Sequence, residues 1–379
     1  MSIVFEKTDK RTTTPFRADI VGSFLRPQSI KDARIKFKKG EISSEKLNEI
    51  ENKEIIKLVE KEKVVGLKAV TDGEFRRSWW HLDFMWGLDG VEKKVIDEGY
   101  KFNGLETRPE TAVLTGKIGF SNNHPMISHY KFLKSIAGDD VIARQSIPAP
   151  AQFLAELQRG ENKEITDSIY KNTEELVSDI ANAYRKAIKA FYDAGCRSLQ
   201  LDDCTWGMFC DKKYWEARQT EDIDMNEIAK LYAKVNNEAI KGHPDDMVIT
   251  MHVCRGNYHS SWASSGGYEA VGEILFGTVK VDAFYLEYDT DRAGDFAPLR
   301  FVKDQLVVLG LISSKTGKLE NKEDIIKRIK EATKYIELNR LCLSPQCGFS
   351  STEEGNILTE EQQWDKIKLV KEIAEEVWK

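Results

Sequence analysis

The chain has 379 residues, 41% of them hydrophobic, and a formal net charge of −6. That is enough apolar material for a large core, in two or three domains or in one α/β barrel with insertions. A mildly acidic balance without long like-charge runs excludes a general nucleic-acid or anionic-membrane binder. Six cysteines are too few for a disulfide scaffold, and no apolar run reaches the length of a signal peptide core or a membrane span. The expected protein is cytoplasmic, acts on small molecules without nucleic acid or membrane, and has a homo-oligomer left open.

Residues 1–17 read as a loose arm preceding one catalytic domain over 18–379. Residues 18–23 form a short strand that ends in a Gly22-Ser23 turn. The spacing of Ile, Leu and Val predicts a helix over 29–65, with Ser43-Ser44-Glu45 resembling a helix start inside it. Gly66 closes it, and residues 67–74 make a second strand that delivers Asp72 and Glu74 at its end. Residues 75–140 break this rhythm. Trp79, Trp80, His81, Phe84 and Trp86 crowd together there, as an ordinary packed contact or as a wall over a binding site. A strand at 113–118 belongs to this excursion, as part of a hairpin.

The alternation resumes with a strand at 141–148 and a helix at about 166–194. A strand at 196–203 follows, with the acidic end Asp202-Asp203. After a helix near 225–241 comes the run Val248-Ile249-Thr250-Met251-His252-Val253-Cys254, whose β-branched residues mark a buried strand. A helix at 266–276, strands at 281–287 and 306–311, a helix at 322–339, a strand at 341–344 and a helix at 359–378 complete the chain. Strands alternating with helices imply a parallel sheet. Setting the excursion strand aside leaves the number of strands that closes a (β/α)8 TIM barrel, with the excursion at about 75–140 near its mouth. A doubly wound open sheet is the competing architecture. In a barrel the chemistry sits at the C-terminal strand ends, where Ser23, Glu74, Asp202, His252, Cys254, Glu287 and Cys347 all fall.

His252 and Cys254 stand two apart, so both leave their strand on one side. An imidazole and a thiol are half of a tetrahedral zinc site, or else a buried histidine beside an inert thiol. Cys347, on a turn before Gly348, and Glu287, at a strand end, complete a set of one nitrogen, two sulfurs and one carboxylate. The expected positions are the sixth, seventh and eighth strands of the closing order. That softness favours Zn2+ over magnesium or calcium. A thiol substrate could displace the weakest ligand, Glu287. Cys196 and Cys342 read as core, and Cys204 and Cys210 as loop thiols.

Together, Ile20-Val21-Gly22-Ser23-Phe24, Asp72-Gly73-Glu74, Leu199-Gln200-Leu201-Asp202-Asp203, Met251-His252-Val253-Cys254, Leu286-Glu287 and Pro345-Gln346-Cys347-Gly348 resemble the catalytic domain of cobalamin-independent methionine synthase, and most of all its short single-domain members. The resemblance implies zinc held by His252, Cys254, Glu287 and Cys347. It implies homocysteine as methyl acceptor, its amino-acid end meeting Val21, Gly22, Ser23, Glu74 and Asp202, so that methionine is formed. The family's catalytic histidine is replaced by Lys315, which can serve as proton donor only if its pKa is lowered. A folate-contacting tryptophan has no counterpart after Ala149-Pro150-Ala151, and no carboxylate stands near Trp206-Gly207-Met208. The methyl donor is therefore open: a methyl-tetrahydrofolate, a corrinoid or a sulfonium. Two rivals remain, a metal-free lyase or decarboxylase using Asp202 and Glu74, and a non-catalytic zinc protein that binds homocysteine or methionine.

Overall fold

The computed structural model describes residue 5 and residues 7–379 apart from 222. Its centre is a parallel sheet of six strands in the order Leu341–Pro345, Leu306–Ile312, Ala283–Glu287, Val248–Val253, Ser198–Asp203 and Gln145–Pro148. Helices cover the sheet, so its strands are buried along nearly their whole length. This is why they read as continuous apolar runs, such as Leu306-Val307-Val308-Leu309, and not as alternating ones. Two further segments extend the sheet. Ile142–Ala143, just before Gln145–Pro148, pairs in parallel with Ala69–Val70. At the other edge Ala18 bridges to Leu343 in parallel; Asp19 N–H donates to Leu343 O and Leu343 N–H to Arg17 O, both at 2.9 Å.

The two ends meet without a strand ladder. Phe24 N–H donates to Gly73 O at 3.1 Å, and Thr71 Oγ1 donates to Gly22 O at 2.6 Å. Gly22 has φ +135°, a conformation that L side chains rarely adopt, and a Cβ there would press on Thr71 Cγ2 at 3.3 Å. The α/β class, the parallel sheet and the barrel-type strand order are therefore as expected, with a seam of two hydrogen bonds in place of a full strand pair. Counted round this order, the strands of His252, Glu287 and Cys347 are fifth, sixth and eighth, not sixth to eighth. Leu306–Ile312 stands between the strands of Glu287 and Cys347, and Glu110–Gly119 pairs antiparallel with Asp89–Val95, outside the central sheet. That pairing confirms the excursion, which also holds a small Lys101–Phe102 and Leu105–Glu106 hairpin.

The predicted helix over 29–65 is two helices, Gln28–Lys38 and Ser44–Val64. Gly40 at φ +72° turns the chain, and the Ser43 side chain accepts from Lys46 N–H to start the second. The helix expected at 266–276 begins later, at Gly272–Thr278. Helices Pro125–Ala137 and Pro150–Leu157, not foreseen from the sequence, begin at prolines; proline at a first helical turn loses no hydrogen bond. The described part of the arm is anchored, not loose: Thr14 is buried and its Oγ1 donates to Ser198 Oγ at 3.0 Å. Residues 1–4 and 6 of the arm lie outside the described residues. Among the described residues no helix is long and apolar enough to cross a membrane.

Inside the ring, Asp202, His252, Tyr285, Val308 and Cys342 form one register row across five strands. Val21 packs against the last three, in a cluster separate from the main core between sheet and helices. The interior also holds a charge pair. Arg144 Nη2 lies 2.6 Å from Asp19 Oδ1, both side chains fully buried, and the guanidinium sits 5.3 Å from the Tyr285 ring centroid. Asp19 N–H bonds the last strand and Arg144 Nη1 donates to Ile20 O at 2.6 Å. The pair thus helps fix the first segment, which the sheet itself holds by one bridge. Breaking a buried pair strands the surviving charge. Asp19→Ala is expected to cost about 3–5 kcal/mol in urea unfolding, and the double variant Asp19→Ala/Arg144→Met to recover part of that loss.

Candidate metal centre

His252 is near the end of the Val248–Val253 strand and Cys254 follows it directly. Glu287 is the last residue of Ala283–Glu287, and Cys347 lies two residues beyond Leu341–Pro345. Because these strands are parallel and in register, all four side chains emerge at one end of the ring. Their ligand atoms lie within 4.8 Å of one another, and all four residues are buried. The two sulfurs are 3.7 Å apart, as free thiols. Gly348 allows this approach: a Cβ there would fall 1.9 Å from Ser23 Oγ, so the turn after Cys347 can close on the first segment only without a side chain.

The donor set fits a zinc ion on its own chemistry. Both ring nitrogens of His252 are buried with no hydrogen-bond partner among the described residues, an orphaned state rare for a buried imidazole. The thiols fare no better. Cys254 is pushed well above the ordinary thiol pKa by the Cys204 thiol beside it and by burial, and Cys347 by Cys254 and burial. Burial opposes a protonated His252, yet the Cys347 sulfur and the Glu287 carboxylate outweigh it and raise the imidazole's pKa. Glu287 has partners of its own: Arg255 N–H donates to Oε1 at 2.9 Å, and Arg292 Nη2 lies 3.4 Å from Oε2.

The cluster opens onto a cavity of about 970 Å³. Val21, Ser23, Glu74, Asp202, His252, Cys254 and Cys347 all line it; Gly22, Glu287 and Lys315 are not among its lining residues. Glu74, at φ +59°, holds its carboxylate by Oε1, which accepts from Ser146 Oγ at 2.8 Å and Arg77 Nη1 at 3.2 Å. Its buried Oε2 has no partner among the described residues. Asp202 Oδ1 accepts from Gln200 Nε2 at 2.8 Å, and that amide also donates to Val21 O at 2.7 Å. Lys315 does not stand as a free acid: its Nζ donates to Gly256 O and to Asn257 Oδ1, both at 2.9 Å.

The excursion supplies the cavity's outer wall. Trp79, Trp80 and His81 line it, while Phe84 is core. Sequence reasoning missed Tyr100, Phe102 and Asn257. Tyr100 OH donates to Glu156 Oε2 at 2.8 Å and lies 3.1 Å from His81 Nε2. Only pairing of the 101–106 hairpin brings Tyr100 and Phe102 to the mouth, and no local pattern marked that. Cys204, read as a loop thiol, also lines the cavity.

A family model described as the catalytic domain of cobalamin-independent synthase matches residues 16–375. The chain belongs to the cobalamin-independent synthase family. Relatives of this family include the uncharacterized proteins YxjH and YxjG of Bacillus subtilis strain 168. YxjH is 50% identical over 100% of this chain and 99% of its own length; YxjG is 49% identical over 99% and 98%. A methionine synthase of Saccharolobus solfataricus is 25% identical over 87% of this chain and 86% of its own. Among solved structures, a candidate vitamin-B12-independent methionine synthase from Listeria monocytogenes superimposes with a TM-score of 0.76 at 43% identity, covering 97% of this chain and all of that one. A B12-independent methionine synthase from Shewanella sp. W3-18-1, solved with selenomethionine, shares the fold at 17% identity and a TM-score of 0.68, over 95% and 97% of the two chains.

Asp202 carries a pH signature. Burial, and then the charge of Glu74, hold its carboxyl well above the ordinary value of 3.8. A folded-state pKa above the unfolded one means that ionising Asp202 costs stability; the cost is absent below the unfolded value and grows until the folded value is passed. Asp202→Asn is therefore expected to raise Tm at neutral pH and to lose that advantage as pH falls toward 3.8. Thermal unfolding across pH checks this; an advantage independent of pH contradicts it.

Proposed function

We propose that this chain is a zinc-dependent S-methyltransferase that transfers a methyl group to the thiol of homocysteine, forming methionine. The observation that carries the reading is the buried cluster of one imidazole, two thiols and one carboxylate beside a cavity that also presents the unpaired Glu74 Oε2. His252, Cys254, Glu287 and Cys347 would hold the ion. Bound zinc supplies Lewis acidity that keeps a substrate thiol ionised near neutral pH, where the thiolate is the reactive form.

The rest is done by the chain's own residues. Glu74 Oε2, buried and unpartnered, and the Asp202 carboxyl lie in the same cavity and suit an α-ammonium group, which needs acceptors and benefits from acidic ones. Val21 and Ser23 line the same cavity, with Gly22 between them in the chain; Ser23 Oγ is already held, accepting from Ser350 N–H at 3.2 Å. Ser146 and Arg77 fix the Glu74 carboxylate, and Gln200 fixes Asp202, so the acceptors are ordered before substrate arrives. Trp79, Trp80 and Phe102 give the cavity an aromatic wall. Family membership and the methionine synthase relative support the same reading. The cavity volume far exceeds an amino acid, which leaves room for a second substrate, the methyl donor.

Metal analysis of the purified protein is expected to find one zinc per chain, and Cys347→Ser to lower both zinc content and homocysteine-dependent methyl transfer by at least about tenfold. Retention of both in Cys347→Ser contradicts the ligand assignment. A metal-free protein with full activity would favour chemistry by Asp202 and Glu74 alone. Zinc that gains no sulfur ligand on homocysteine addition, read by X-ray absorption, would favour a closed structural site.

A further inference from the structure

Lys315 sits in the loop after Leu306–Ile312, only 6% exposed, and is not among the residues lining the cavity. Its two acceptors, Gly256 O and Asn257 Oδ1, belong to the loop that leaves Cys254. Asn257 carries the connection onward: its Nδ2 donates to Gly348 O at 2.8 Å and Ser351 Oγ at 3.1 Å, in the loop that leaves Cys347. Ser314, next to Lys315, donates from Oγ to the same Gly348 O at 2.9 Å. Asn356 Nδ2 donates to Asn257 Oδ1 and to Ser314 O, both at 2.8 Å. Every polar atom of the Asn257 amide is thus engaged, and three loops from different strands are tied at one buried point. An ammonium has donors only and no acceptor. Here two of those donors are spent on a backbone carbonyl and an amide oxygen.

We propose that Lys315 is a positioning residue: through Asn257 its ammonium clamps the Cys254 loop to the Cys347 loop and keeps the two sulfurs at metal-sharing distance. It does not supply a proton to the methyl donor's leaving group. The sheet cannot do this alone, because both cysteines lie beyond their strand ends and strands of a different segment stand between them. Loop residues beyond the ladder need their own fixings if two thiols are to converge within an ångström or so. The proposal rests on the metal-site part of the function argued above, and not on homocysteine as the acceptor.

The test challenges zinc-loaded wild type, Lys315→Met and Ser314→Ala with excess chelator, and records the thiolate-to-cobalt absorption of the cobalt-substituted forms. Lys315→Met is expected to release zinc about 10- to 100-fold faster, with an altered cobalt spectrum. Ser314→Ala, which removes only one bond to Gly348, should move both readouts in the same direction by less, and it serves if Lys315→Met fails to fold. Unchanged release and spectra in both variants overturn the proposal. So does a Lys315→Met protein that keeps zinc and its cobalt spectrum yet loses methyl transfer, since that is the behaviour of a lost acid. Should the wild type take up no zinc, the functional reading fails separately. The clamp is then judged with phenylarsine oxide, which condenses with two adjacent thiols and releases one water. Tight one-to-one capture by Cys254 and Cys347 that weakens in Lys315→Met supports it, and equal capture by both proteins refutes it.

Discussion

Two buried thiols 3.7 Å apart, beside a buried carboxylate and an imidazole with both nitrogens unsatisfied, are a costly arrangement for a folded chain. The donors are buried, and no described residue repays the imidazole with a hydrogen bond. Such a cluster persists only where the surrounding structure over-determines it, and here it does. The parallel register carries His252 and Glu287 to the same end of the ring, with Asp202 and His252 side by side in one row. The glycine after Cys347 lets its turn close on Ser23. The buried net centred on Asn257 joins the loops beyond the strands. A positive ion is the partner that would turn this local cost into stabilisation, since it favours the ionised thiols that burial otherwise resists.

The same sheet organises the organic half of the site. Glu74 and Asp202 arrive from the second and fourth segments of the ring and are pre-fixed by Ser146, Arg77 and Gln200. Asp202 is disfavoured as an anion by burial and by Glu74. A cationic group placed between them would relieve both, so the electrostatics prefer an ammonium-bearing ligand over a neutral one. The wall opposite is aromatic and comes from the excursion, where the small 101–106 hairpin and the Trp79-Trp80-His81 turn meet over the cavity. The carboxylates thus rest on rigid strand ends, while the aromatic wall is built on a segment outside the barrel rhythm, the kind of element that varies most readily without disturbing the core.

The first segment is the weak point of the ring. One bridge to the last strand, two hydrogen bonds to the second segment and the buried Arg144–Asp19 pair do the work of strand ladders. Ser23 of that segment also meets the turn at Gly348, so the seating of the first segment and the placement of Cys347 are one geometric problem. Lys315 belongs to the same problem. The family resemblance sets Lys315 at the place of a catalytic histidine, and two of its N–H donors go to Gly256 O and Asn257 Oδ1 in the loop that leaves Cys254.

Sequence alone determined the α/β alternation, the excursion and the strand-end positions of His252, Cys254, Glu287, Cys347, Glu74 and Asp202, because strand period and β-branched runs are local signals and parallel strands must send their ends to one face. It also carried the family, in motifs that each lie within a few adjacent residues. It could not decide what depends on contacts distant in the chain. Only the tertiary structure split the first helix at Gly40, seated Thr14 on Ser198 and brought Tyr100 to the cavity. Only it spent the Lys315 ammonium on Gly256 and Asn257, some 58 or more positions away. The physical reason is that a side chain's role follows from which partners satisfy its polar atoms, and for buried groups those partners are chosen by packing and not by neighbours in sequence.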